Sequence, residues 1–231
     1  MHDLLQALLH AFDLLLTGDR HIWAIITLSL RVSGSALLLA SLLGLPLGAW
    51  LALGRFWGRR LLIILIYTGM GLPPVVVGLF VYLFLSRSGP LGWLNWLFTP
   101  KAMILAQMII SLPLIAGFTM SALQGIDPNL RLQLRALGAT PTQIAFTLLW
   151  EARWGIIIAL IAGFGRIIAE VGAVMLVGGN IEGSTRVLTT AIVLETRKGA
   201  FDVALALALV LLSITFTINT FVLQMQQRLI R

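Results

Sequence analysis

The residues best suited to chemistry are two oppositely charged side chains within a long apolar segment. Arg166 and Glu170 lie four positions apart, in a stretch that is otherwise made of aliphatic and small residues. Four positions correspond to one turn of an α-helix, so the spacing predicts an ion pair. A lone charge at the centre of a membrane helix costs about 2.5–3.5 kcal/mol on insertion scales. Two interpretations follow: an ion pair that pins the helix against a partner, or an arginine whose remaining donors bind a passing oxyanion.

Prolines interrupt two further apolar segments near their middle. One interruption is the run 69–74, which ends in Pro73 and Pro74, and the other is the run 111–113, which begins with Ser111. Proline removes a helical hydrogen bond, so both segments are predicted to be broken. A kink tolerated by packing explains either break alone. Two breaks at matching depth favour a pathway lining, because the N-terminus of a half-helix offers backbone N–H groups to an anion. The predicted pathway residues are Pro73, Pro74, Ser111, Arg166 and Glu170.

Sequence patterns for hydrolytic chemistry are missing. The glycine-rich segment 178–185 superficially resembles a phosphate-binding loop, but Ser184 stands where that loop requires a lysine. Neither a His-Glu-x-x-His nor a Gly-x-Ser-x-Gly motif occurs. His10 and Asp13 have no third ligand nearby, so no metal site and no cofactor are predicted. We therefore expect a subunit that is not an enzyme, and any active transport would draw its energy from another subunit.

The composition is that of an integral membrane protein. Hydrophobic residues make up 59% of the 231 residues and charged residues 11%, with a mean hydropathy of +0.99. Soluble domains are closer to 45–50% apolar and about 25% charged. The net charge of +7 suits topology and contacts with anionic lipids, and nucleic-acid binding is not expected. The absence of cysteine excludes disulfides.

Five segments are long and apolar enough to cross a membrane as helices, which takes about 20 residues each. They are 32–54, 61–85, 102–124, 154–178 and 203–224. The predicted fold class is thus all-α, a polytopic helical bundle. Residues 1–20 form an amphipathic helix that is too short to span and is expected to lie at the interface.

A polar insert at 125–153 interrupts this apolar chain. Asp127 is placed to cap a helix that begins at Pro128, and Gly138 is a natural stop. Thr140 then caps a second helix, with Gln143 completing a capping box. The insert is predicted to be a rigid helix–turn–helix knob that meets a soluble partner. Its tip, the predicted coupling surface, consists of Leu134, Arg135, Ala136, Leu137, Gly138 and Ala139.

The orientation of the chain is predicted from one arginine cluster. Arginines are nearly balanced between the two sides, but Arg55, Arg59 and Arg60 follow one another closely between two spans, on the side of the knob. Positive residues are enriched in cytoplasmic loops. The knob is therefore predicted to be cytoplasmic, with the N-terminus outside and the C-terminus inside.

The segment 125–156 resembles the cytoplasmic loop of binding-protein-dependent ABC transporter permeases. Gly138 matches the glycine of their pattern in register, and Leu148 stands for its isoleucine, whereas residues 132–134 replace its Glu-Ala-Ala and Trp150-Glu151 its Leu-Pro. Residues 166–173 (Arg-Ile-Ile-Ala-Glu-Val-Gly-Ala) and 72–79 are similar to molybdate-type permeases. Residues 178–181 and 185–196 resemble the tungstate branch. The resemblance covers about residues 20–231.

This resemblance implies that residues 1–231 form one permease domain in the inner (plasma) membrane of a prokaryote. The implied function is import of an oxyanion, with tungstate as the nearest match and molybdate or another oxyanion as the alternative. The implied partners are a second copy of the chain, cytoplasmic ATPase subunits and an extracytoplasmic substrate-binding protein. A secondary transporter that needs no ATPase is the alternative from another class. Five spans without an internal repeat argue against it, and a membrane enzyme would lack a catalytic set.

Overall fold

The computed structural model describes residues 20–230, so the predicted N-terminal amphipathic helix lies outside the described residues, apart from residue 20. This part of the chain contains ten α-helices and no strand, which confirms the all-α prediction. The helices are α1 (Arg20–Leu53), α2 (Arg59–Met70), α3 (Pro74–Leu85), α4 (Pro100–Gln124), α5 (Pro128–Ala136), α6 (Pro141–Glu151), α7 (Arg153–Ile168), α8 (Gly172–Gly178), α9 (Leu188–Lys198) and α10 (Phe201–Ile230), with one 3-10 turn at Gly92–Leu94.

Three of these helices, α1, α4 and α10, are each long and apolar enough to cross a membrane. Two helix pairs interrupted by short breaks, α2 with α3 and α6 with α7, raise the number of candidate spans to five. Large apolar side chains are exposed along the helices, among them Leu42 (68%), Phe80 (58%) and Phe216 (72%). Such surfaces suit contact with lipid or with a partner.

The predicted break at Ser111–Pro113 is wrong, because α4 continues through both residues. Pro113 is buried and packs against α2, where a Cβ built at Gly69 would lie 2.9 Å from the Pro113 Cβ. The Ser111 hydroxyl lies 3.4 Å from the Met108 carbonyl, within hydrogen-bonding distance. Proline costs a helix only part of its hydrogen bonding, and contacts with a neighbouring helix preserve the rest of α4. The other predicted break is confirmed, since α2 ends at Met70 and α3 begins at Pro74.

The fourth predicted span, 154–178, is not one helix. The chain leaves the helical conformation after Ile168, and α8 begins only at Gly172. The helix α9 was not predicted at all, although the sequence carries the usual signals for its end. Arg197 and Lys198 occupy the last turn, and Gly199 follows with a left-handed φ of +79°.

The described chain forms two compact units. The first contains residues 20–36, 73–107 and 165–230, and its core joins α1, α9 and α10 through Ile22, Ile25, Leu188, Ala191 and Leu207. The Leu188 amide donates to the buried Ser29 hydroxyl (2.8 Å), which fixes the start of α9 on α1.

The second unit contains Leu37–Leu72 and Met108–Phe164. One of its clusters joins α1, α2 and α4 through Leu51, Ile66, Ala116 and Met120. Another joins α4 to α6 through Leu123, Ile144, Leu148 and Ala152, and the helix α5 rests on this second cluster.

Candidate functional sites

The break between α7 and α8 is held by polar side chains from two other helices of the first unit. The buried Gln107 side chain of α4 donates to the Ile167 carbonyl (3.0 Å), and the Thr189 hydroxyl of α9 donates to the Glu170 carbonyl (2.8 Å). Irregular backbone in apolar surroundings is costly unless its polar groups have partners. Gln107 and Thr189 thus stabilise an interruption of the helix that the local sequence does not predict.

The buried Glu170 carboxylate faces the next helix. Its Oε1 accepts a hydrogen bond from the Ala173 amide (3.0 Å), in the first turn of α8. A carboxylate is favourable at this end of a helix because the N-terminal amides are unsatisfied and partly positive. The carboxylate therefore contributes to the start of α8.

No ion pair joins Arg166 to Glu170, although both residues belong to the described chain. The predicted pairing is wrong because it assumed one continuous helix. Arg166 is in the last turn of α7, and the helix ends before Glu170 is reached. The helical register that would place the two side chains together is lost there.

Arg166 is exposed, as is Ala169, which follows the end of α7. Its side chain has no hydrogen bond or ion pair to any of residues 20–230. A guanidinium carries five N–H donors and matches planar or tetrahedral oxyanions well. An unpaired cation in a membrane segment is costly, so Arg166 is a candidate group for binding an anion.

The beginning of α3 lies beside the break. A Cβ built at Gly172 would lie 2.6 Å from Val75 Cγ2, and one built at Gly78 would lie 2.6 Å from the Ala173 Cα. Glycine is thus required at both positions for α3 and α8 to approach so closely. This contact places Pro73 and Pro74, which begin α3, next to the segment that contains Glu170.

The predicted pathway residues are divided between the two units. Pro73, Pro74, Arg166 and Glu170 belong to the first unit, whereas Ser111 belongs to the second, where it is fully buried in α4. Gln107 and Thr189 were missed by the prediction. A glutamine in an otherwise apolar helix is a signal that could have identified the first, because polar groups at membrane depth usually have a structural or functional partner.

The first helix of the knob begins and ends as predicted. The Asp127 carboxylate accepts from the Asn129 amide (2.9 Å). At the other end Gly138 has a φ of +81°, and the Gly138 and Ala139 amides donate to the Arg135 and Leu134 carbonyls, each at 3.0 Å. This pair of bonds is a Schellman motif, which needs a left-handed residue after the helix.

The second helix of the knob starts with the predicted capping box. The Thr140 amide donates to Gln143 Oε1 (2.8 Å), and the Gln143 amide donates to the Thr140 hydroxyl (3.4 Å). Only Ala139 separates Gly138, the C-terminal stop of α5, from this cap. The turn between α5 and α6 is thus fixed at both of its ends by hydrogen bonds.

The predicted coupling surface has an inner and an outer part. Leu134 and Ala139 pack on the cluster formed by α4 and α6, and the Arg131 guanidinium donates to the Leu53 carbonyl (3.3 Å) at the end of α1. The remaining predicted residues are exposed, with Leu137 at 83%. These exposed residues are Arg135, Ala136, Leu137 and Gly138, which we call the knob tip.

Apolar helices that can cross a membrane, together with a polar knob whose tip is exposed, are the features of a membrane transport permease. Residues 44–231 match the family model of the binding-protein-dependent transport system inner membrane component, and the chain belongs to this family. It is a multi-pass protein of the inner membrane.

Two relatives and one solved structure extend this assignment. The chain is 47% identical over 201 residues to a probable anion ABC transporter permease protein of Haloferax volcanii, covering 85% of this chain and 87% of the relative. It is 40% identical over 217 residues to the tungstate uptake system permease protein TupB of Peptoclostridium acidaminophilum, covering 94% and 95%. A bacterial ABC transporter that imports the acidic polysaccharide alginate superposes with a TM-score of 0.76 at 22% identity, over 100% of this chain and 91% of that one. At that identity the similarity concerns the fold.

Proposed function

We propose that this protein is the membrane-spanning subunit of an ABC importer that carries tungstate into the cytoplasm. The observation that carries the proposal is Arg166, an exposed guanidinium without a partner in the described chain, at the end of a broken membrane helix. The relatives named for anions and for tungstate support the same substrate class.

The arrangement around Arg166 suits transient binding of a dianion. The Glu170 carboxylate would repel an anion, but it is buried and bonded to the Ala173 amide. Arg166 therefore keeps its donors for the substrate. Each copy of the chain supplies one exposed guanidinium at this position, whose hydrogen bonds to an anion exchange readily with water and so allow release. A pathway requires release as much as it requires attraction.

The knob tip is the proposed contact with a cytoplasmic ATPase subunit. The Schellman motif and the capping box hold α5 and α6 at a fixed turn, and Leu134 packs α5 on the cluster formed by α4 and α6. A displacement of the knob tip would thus move the membrane helices, because the turn between α5 and α6 is not a flexible loop. In this proposal two copies of the chain form the permease, an extracytoplasmic binding protein delivers the anion, and ATP hydrolysis occurs only in the ATPase.

Reconstitution tests the proposal. The permease, its ATPase and its binding protein would be placed in proteoliposomes, and uptake of tungstate would be measured with ATP and with an ATPase variant that cannot hydrolyse it. We expect uptake only with the active ATPase and the loaded binding protein. Uptake by the permease alone would instead indicate a secondary transporter.

Molybdate is the alternative substrate, because it is also a tetrahedral dianion and residues 166–173 are similar to molybdate-type permeases. Titration of the binding protein with tungstate, molybdate and sulfate distinguishes these substrates. The binding protein sets the selectivity of such an importer, so the tightest of the three ligands identifies the cargo.

A further inference from the structure

A second cationic site lies within the first unit, between α1 and the start of α4. Arg31 and Lys101 line one cavity of about 310 Å³, together with Asn95, Trp96 and Thr99. No carboxylate lines this cavity, and neither cation forms an ion pair with any acidic residue in the described part of the chain. The Lys101 ammonium lies 5.8 Å from the centre of the Trp96 ring, so part of its charge faces an aromatic surface. The described residues that line the cavity therefore give it a net positive charge.

Helix geometry places both cations at the same depth in a membrane. About 20 helical residues cross the hydrocarbon core. Counted back from Leu53, the end of α1, twenty residues reach position 34, and counted back from Gln124, the end of α4, they reach position 105. Arg31 and Lys101 then lie three and four residues further, about 4.5–6 Å beyond the core at 1.5 Å per residue. That is the level of the lipid headgroups.

The surroundings of the cavity agree with this depth. Trp93 is 75% exposed, and Trp96 lies within the same connection between α3 and α4. Tryptophan is enriched at membrane interfaces because its ring is apolar while its N–H is polar. The cavity wall also contains apolar side chains, among them Val32 from α1 and Ile104 from α4.

We propose that this cavity binds the phosphate of an anionic phospholipid. Arg31 and Lys101 would balance the headgroup charge, and Val32 with Ile104 would contact the glycerol and the first methylene groups. A free oxyanion has no apolar part to place against Val32 and Ile104, so the lipid fits the whole cavity better. The binding itself does not depend on the proposed transport function. Only the leaflet in which the lipid lies depends on the proposed function, since a cytoplasmic knob places this end of α1 and α4 in the outer leaflet.

Native mass spectrometry of the complete transporter, released from nanodiscs of phosphatidylcholine and phosphatidylglycerol, tests the proposal. We expect the wild type to retain phosphatidylglycerol selectively. The double variant Arg31→Gln/Lys101→Gln should retain it less, by about fivefold for each cation removed. Arg87→Gln is the matched control, because Arg87 is an exposed arginine of the same connection and does not line the cavity.

The second variant, Ile104→Trp, fills the cavity without changing its charge and should also lower lipid retention. This variant keeps the proposal testable if the double variant fails to fold. The proposal would be overturned if both variants retained phosphatidylglycerol at the wild-type level. If only one variant folds, wild-type retention in that variant would overturn it as well. Displacement of the lipid by millimolar tungstate would also overturn it, because the site would then belong to a free oxyanion. Uptake measured on the same variants in proteoliposomes keeps the two proposals separate, since lipid retention requires no transport.

Discussion

At the scale of single residues, Arg166 and Glu170 lie in separate environments although only four positions separate them. Glu170 is buried and bonded to the start of α8, whereas Arg166 is exposed at the end of α7. The charge of Arg166 can therefore be removed without leaving a buried carboxylate unpaired. This independence makes a double-mutant cycle informative.

In that cycle, Arg166→Gln should not lower the free energy of unfolding, because the Arg166 side chain has no partner in the described chain and its unpaired charge is costly in a membrane segment. Tungstate uptake should fall about ten- to a hundredfold, because a hydrogen bond to a charged group contributes roughly 1.5–3 kcal/mol. Glu170→Ala should lower stability by about 1–2 kcal/mol through loss of its bond to the Ala173 amide. Glu170→Gln should cost less, since its side-chain oxygen can still accept that bond.

Thermal unfolding and uptake are measured on Arg166→Gln, on Glu170→Gln and on the double variant. We expect the two changes in stability to add, with an interaction energy below about 0.5 kcal/mol. If the double variant recovered much of the stability lost in either single variant, the two side chains would form an ion pair in the membrane after all. Arg166→Lys is the charge-conserving control and should retain part of the uptake.

At the scale of the elements, the turn of the knob depends on the backbone of Gly138. Its φ of +81° is unfavourable for any other residue, yet a Cβ built there would meet no atom within 4 Å. Gly138→Val would thus leave packing intact and impose a backbone cost of about 1 kcal/mol or more. We expect the variant to insert normally while the loaded binding protein stimulates ATP hydrolysis less, because the knob tip is displaced.

Gly125→Ala is the matched control for this variant. Gly125 lies near the same knob with an ordinary φ, and its added Cβ would make only ordinary contacts, the nearest at 3.6 Å from the Ser121 and Ala122 carbonyls. ATPase activity in proteoliposomes, with each variant at equal permease content, provides the comparison. Full stimulation in Gly138→Val would argue against the knob tip as the coupling surface.

The knob could be predicted from the sequence because each of its signals is local. Asp127, Gly138 and the Thr140–Gln143 box act on backbone groups within a few positions of themselves. The broken spans could be predicted only in part, because packing decides them. α4 tolerates Pro113, whereas α7 is interrupted without a proline, at a place stabilised by Gln107, 60 positions from Ile167, and by Thr189. A single sequence does not reveal that these residues meet, so Arg166 could be identified but its environment could not.

At the scale of the whole molecule, the orientation in the membrane determines which partners each surface can reach. The knob and the arginines at 55, 59 and 60 belong to connections that lie on the same side if the α2–α3 pair and α4 each cross the membrane. Arginine-rich connections are retained in the cytoplasm, and the ATPase that the knob tip would contact is also cytoplasmic. The connections after α3 and after α8 are expected on the opposite side, where a binding protein could reach them.

The chain contains no cysteine, so single introduced cysteines report this orientation without further changes. Ser88 and Ser184 are exposed in the two outer connections, and Thr142 is exposed at the start of α6. Ser184 is preferable to its neighbour Gly183, whose φ of +70° would strain a cysteine. In whole cells a membrane-impermeant thiol reagent should label Ser88→Cys and Ser184→Cys, and should label Thr142→Cys only after permeabilisation. Labelling of Thr142→Cys alone in intact cells would place the knob outside, where no ATP-driven partner could act on it.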